Sequence, residues 1–160
     1  MNPVDTFAPM LTSLGEWIDR ASDDLVEARL AKDMYPLAQQ VQLACHHAND
    51  GVARLTGRPS QEPGDVPSTR AAMKKSIATT VAALRKIPSS AFEGAETRDC
   101  SVPIPNGMKI KMDGARFLQS WSLPHFYFHV VTAYAILRHH GIPLGKQDYL
   151  SQVGAFIERA

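Results

Sequence analysis

Two histidines, His125 and His129, stand four residues apart in the segment 123–141, LPHFYFHVVTAYAILRHHG. At about 100° per residue this spacing sets both imidazoles on one face of a helix, one turn above the other, where they can share a metal ion. Neither is flanked by an acid that would add metalloprotease character, and a His-x3-His pair also arises in helices that bind nothing. A second group, Cys45-His46-His47, lies in the segment 36–55. There Gln42, His46 and Asn49 form a polar column, with His47 on its flank. Cys45 borders the apolar side, where a small residue is more simply a buried thiol than a nucleophile. His139 and His140 close the segment 123–141, where a cation suits the helix C-terminus, and they read as capping residues.

The elements that carry these residues are helices. In 123–141, Ser122 is the cap candidate, Pro124 suits a first helical turn, and Gly141 with Pro143 supplies the stop. His125 would then lie in the first turn, where the helix dipole favours a neutral imidazole. Phe126, Tyr127, Phe128 and Tyr134 go nearly round this helix and predict burial on most sides. Further upstream, Phe7, Leu11, Leu14, Ile18 and Ala21 recur at helical spacing, with Asp5 or Thr6 as caps. The segment 22–32 is more polar, with room for a further turn around Leu25 and Leu30. A second helix runs from Pro36 to about Leu55 with the stripe Leu37, Val41, Ala44, Ala48, Val52 and Leu55, and Gly57 ends it. Residues 59–67, PSQEPGDVP, form a loop, and Ser68 or Thr69 caps a third helix through Met73, Ile77, Val81, Leu84 and Ile87.

The period then changes. Residues 101–104 and 108–112 alternate around Pro105-Asn106-Gly107, which predicts a small hairpin before a helical lead-in at 115–122. The tail could add a short helix around Val153, Phe156 and Ile157. Four amphipathic helices with one hairpin insert imply an all-α fold, a four-helix bundle in which sites are built from inward side chains on facing helices. The loop between the second and third helices is long enough for a crossover.

The chain's 160 residues imply one domain spanning 1–160, large enough to bury a core. Seventeen basic and sixteen acidic residues leave a net charge of +1. Without a basic cluster, neither a nucleic-acid surface nor a polybasic membrane patch is expected. No secretory signal or membrane-length apolar run is seen, so the cytoplasm is the expected compartment. Cys45 and Cys100 are too few and too far apart for a disulfide framework and are expected as reduced thiols.

Several stretches carry a resemblance: AKDMYPLAQQVQLAC (31–45), VARLTG (52–57), AFEGAE (91–96) and LPHFYFHVVTAYAILRHHGIPLGKQDYL (123–150). Together they resemble an uncharacterised-domain family of bacteria and fungi within the DinB-like superfamily, alongside YfiT-type proteins. The resemblance covers most of the chain and implies a four-helix bundle. In better-known members, bacillithiol transferases and a mycothiol-dependent maleylpyruvate isomerase among them, three histidines hold a divalent metal. One comes from the second helix and two from a His-x3-His on the last. His125 and His129 match the pair, and His46 or His47 matches the single. Sibling sequences usually carry Asp or Asn at the position of His46 and Asn at that of His125. On that comparison His46 is the expected third ligand, which requires the apolar stripe opposite it to pack outward, for instance on a second subunit.

The resemblance thus implies a metal site of His46, His125 and His129 for zinc, nickel or iron, with Gln42 and Asn49 orienting a ligand or substrate. Two functional classes follow. One is a metal-dependent enzyme that transfers a thiol or activates a water on a small molecule. The other is a non-catalytic bundle, expected as a homodimer, that binds a small ligand or partner.

Overall fold

Helix α1 (Val4–Asp19) starts where Asn2 Oδ1 accepts the Val4 N–H at 3.2 Å, so Asn2 does the capping expected of Asp5 or Thr6. The computed structural model describes residues 2–156 and 158. Phe7, Leu11, Leu14, Ile18 and Ala21 are all buried, as their helical spacing requires. After α1 a single 3-10 turn, Asp23–Leu25, buries Leu25, while Leu30 stays exposed.

Helix α2 (Leu37–Leu55) follows the extended Pro36 and ends before Gly57, whose φ of +70° suits a residue without Cβ. Its stripe of Leu37, Val41, Ala44, Ala48, Val52 and Leu55 is at most 1% exposed. The stripe is therefore core of this chain, not a surface for a second subunit. Helix α3 (Arg70–Arg85) is capped by Thr69, whose hydroxyl accepts the Ala72 N–H at 3.1 Å.

Strands β1 (Asp99–Pro103) and β2 (Lys109–Asp113) pair antiparallel, with Asp99 opposite Asp113 and Pro103 opposite Lys109. Asn106 and Gly107 turn the chain at φ of 68° and 71°. Helix α4 (Gly114–Phe117) leads through one π turn, Leu118–Ser122, into α5 (Leu123–His139) without leaving helical dihedrals. Ser122 is thus an interior residue and not a cap. The Leu123 N–H reaches Leu118 O, five residues back, and the widened turn houses Pro124, which has no N–H to give. Because the helix runs on upstream, His125 does not sit at a free N-terminus, and the dipole argument for it falls away.

The four long helices form a bundle in which α1 packs on α3 and α2 lies between α3 and α5. The α1–α2 connection therefore crosses the bundle, because consecutive helices are not the closest neighbours. On α5, Phe126 is fully buried, but Phe128 is 57% exposed and Tyr127 and Tyr134 are half-buried, so burial is less complete than the ring of aromatics predicts. Helix α6 (Lys146–Tyr149) and a 3-10 turn, Ser151–Phe156, follow α5, and the stacking of Tyr149 on Trp17 ties this region to α1. Val153 and Phe156 are exposed, and Ile157 lies outside the described residues. Cys45 and Cys100 are free and buried. No described helix is long and apolar enough to cross a membrane.

Candidate functional site

The α2–α5 contact brings histidines from both helices together. Small residues allow it: Ala44 and Gly51 lie on the same face of α2 as Gln40 and His47, at spacings of four, three and four. The His47 ring lies 4.9 Å from that of His125 and 5.3 Å from that of His129, centroid to centroid. Trp121, in the π turn, packs at 4.3 Å against His125, and on α5 Phe128 meets His129 edge-on at 5.3 Å. His129 is buried, whereas His47 and His125 are partly open to solvent.

Hydrogen bonds orient two of the three rings. His125 Nδ1 lies 2.7 Å from the Trp121 carbonyl oxygen, which can only accept, so this nitrogen carries the proton. His129 Nδ1 lies 2.8 Å from Gln40 Oε1, another acceptor. Each α5 imidazole is thus left with its Nε2 lone pair uncommitted. Burial, followed by the neighbouring imidazoles His129, His125 and His46 and opposed by Asp50, holds His47 down at about 3. Burial, with His125 and His46 adding, holds His129 at about 4. Both are neutral at pH 7, the form that ligates metals.

His46 faces the other way. Its ring is 5.1 Å from His47 and lines a groove of about 550 Å³ between α2, α3 and the loop 58–65. Burial lowers its pKa, while Asp50 and Glu62 pull the other way. Gln42 and Asn49 line the same groove, with Gln42 Nε2 donating to the Gly64 carbonyl. The column expected along α2 therefore exists, but it looks towards α3, and the ring against the α5 pair is that of His47. Asp50 accepts from Arg54 Nε at 2.8 Å one turn along its own helix and ties the loop down by accepting from the Ser60 hydroxyl. Cys45 is buried beside Ser76 and Thr80, and burial raises its thiol above the usual range, so it stays protonated. His139 and His140 are exposed at the far end of α5.

Among the described residues, no group of three or more His, Cys, Asp or Glu side chains is arranged to hold a metal ion. His47 and His129 are stacked within 7° of parallel, so their in-plane lone pairs do not meet at one point, and the His47 ring, which makes no hydrogen bond among the described residues, would have to turn for all three to share an ion. The chemistry of the set fits a borderline metal even so, being three imidazoles of which two have Nδ1–H already satisfied. Sequence reasoning missed Gln40 and Gly51. The spacing 40, 44, 47, 51, which aligns a buried amide and two small residues with His47, is the signal that could have found them.

The chain matches, over residues 2–150, the family described as a domain of unknown function, DUF1993. It is also similar to the crystal structure of a DinB family member from Shewanella denitrificans, at 34% sequence identity and a TM-score of 0.82. That similarity covers 98% of this chain and 92% of the other. No curated protein matches the chain.

Proposed function

Because the chain belongs to the DUF1993 family and shares the DinB-like helical fold, we propose that it binds a divalent metal with His47, His125 and His129. The observation that carries this reading is the pair of Nδ1 hydrogen bonds, His125 to Trp121 O and His129 to Gln40, which leave Nε2 of both rings free beside His47. Outer partners of this kind accompany ligating histidines and fix the tautomer that binds. His46 is the alternative third ligand expected from sibling sequences, but its place in the α2–α3 groove favours His47. A divalent ion held there would supply Lewis-acid activation of a water or a thiol at neutral pH. The chain's own residues would bind it, keep His47 and His129 unprotonated, and leave the partly exposed His47–His125 side open to a small molecule. On this reading the protein is a metal-dependent enzyme for a small substrate, with thiol transfer as the family-inspired chemistry.

A second reading rests on the α2–α3 groove, whose lining includes Gln42, Asn49 and Thr79. A non-catalytic bundle would hold a small polar ligand there. Elemental analysis of untagged protein and cobalt titration separate the two. The metal reading expects about one ion per chain, lost in His47→Ala, His125→Ala or His129→Ala and kept in His46→Ala. No uptake of zinc, nickel, iron or cobalt by the wild type would remove it and leave the groove. Loss in His46→Ala with retention in His47→Ala would restore the ligand set expected from the siblings. The expected homodimer is tested by sedimentation velocity on the same samples.

A further inference from the structure

Gln40 is only 1% exposed, and both ends of its amide are in use. One end meets the Tyr35 carbonyl oxygen at 3.0 Å, just before α2, and the other meets His129 Nδ1 at 2.8 Å, across on α5. Amide nitrogen and oxygen differ in what they can do, and the Tyr35 carbonyl decides which is which. A carbonyl oxygen has nothing to donate, so the end facing it must be the NH2 group. Oε1 is then left facing His129. An oxygen without hydrogen can only accept, so His129 Nδ1 must carry the ring proton and Nε2 the lone pair.

We propose that Gln40 is a positioning residue that sets the tautomer of His129, with its own orientation dictated by the backbone carbonyl of Tyr35. The relay runs from the entry of α2 to the centre of α5. Reversing it would set Gln40 Oε1 against the Tyr35 oxygen, two acceptors facing each other without a proton in a buried place. His125 gains the same tautomer locally from Trp121 O, one helical turn away. His129 has no such local acceptor among its hydrogen bonds and takes its orientation from another helix. The inference rests on the metal reading only for its consequence; the tautomer itself belongs to the metal-free protein.

The test is the proton position on His129, read from two-bond nitrogen–proton correlations of 15N-histidine-labelled full-length protein, free of metal, at pH 8. The wild type should show the Nδ1–H form. Gln40→Glu, which as the buried neutral acid donates its O–H to the Tyr35 carbonyl and still accepts from His129, should keep it, whereas Gln40→Met should give a mixture with the Nε2–H form. A wild-type His129 protonated on Nε2 overturns the proposal, even if no variant folds. So does a folded Gln40→Met protein with an unchanged tautomer. In parallel, cobalt affinity should fall about 10- to 100-fold in Gln40→Met and be largely retained in Gln40→Glu. If the wild type takes up no cobalt yet the tautomer responds to Gln40, the metal reading fails and the positioning role stands. If cobalt binds but the tautomer ignores Gln40, the reverse holds.

Discussion

Gly51→Ala probes the close approach of α2 to the π turn that leads into α5. Gly51 is one turn beyond His47, and the closest neighbour of a methyl built on it is Ser122 Oγ, which it would overlap. Phe7 Cε2 and Cζ come next, at 3.3 and 3.4 Å, tight but short of collision. Taken alone, alanine for glycine inside a helix gains about 1 kcal/mol. Overpacking a filled core costs about 1–3 kcal/mol, because Ser122 must leave its rotamer or the helices must part. The net expectation is destabilisation by about 1 kcal/mol. Ser122→Ala removes the overlapping atom, and its Oγ is buried with no hydrogen-bond partner among the described residues, so that change should be neutral or stabilising by up to about 1 kcal/mol. In the Ser122→Ala background, Gly51→Ala should become neutral or stabilising. Urea unfolding of the four proteins closes the cycle, with a coupling of about 1–2 kcal/mol expected. A coupling below about 0.5 kcal/mol, or a plainly stabilised Gly51→Ala single variant, would refute the packing argument.

Acid should destabilise the metal-free protein through its buried histidines. His47 at about 3 and His129 at about 4 lie below the ordinary 6.5, so between about pH 6.5 and 4 the unfolded chain binds more protons than the folded one. Their contribution is intact above pH 6.5 and is lost as pH falls, by at most about 1.4 kcal/mol per pH unit for each histidine. Burial sets the lowering at His47, His129, His125 and His46 deepen it, and Asp50 opposes it. Urea midpoints from pH 7 to 4.5, with chelator, should show a shallower slope in His129→Gln than in the wild type; equal slopes would contradict the assignment. Asp50→Ala should cost about 2–4 kcal/mol by leaving Arg54, whose side chain is 17% exposed, without its counter-charge and with only the Ser101 carbonyl to bond, and by freeing Ser60. Thermal unfolding with hydrogen exchange over 58–65 reads both effects, and a cost below about 1 kcal/mol would show the pair to be merely superficial.

Much of the fold was legible because local rules and burial agreed. The spacing of Met73, Ile77, Val81 and Leu84, the cap at Thr69, the Pro36 start and Gly57 stop, and the Asn106-Gly107 turn each reflect steric and hydrogen-bonding preferences of a few neighbouring residues. The break before α5 was misread for the same reason. Ser122-Leu123-Pro124 carries a helix-start pattern, but a π turn and the burial of Phe117 and Leu118 carry the helix through it.

The sequence by itself determined that His125 and His129 share a helix face, because 3.6 residues per turn allow nothing else once 123–139 is helical. It likewise determined that His46 and His47 point about 100° apart. Which of them meets the α5 pair was a matter for the tertiary structure. Helix α2 is packed on both sides, and only the placement of α5 against Gln40 and His47, of the π turn against Gly51, and of α3 against Cys45, decided which side each histidine occupies. That choice is made by the burial of the whole apolar stripe and by the close approach at Gly51, which are sums over distant residues and leave no mark in the local pattern around positions 46 and 47.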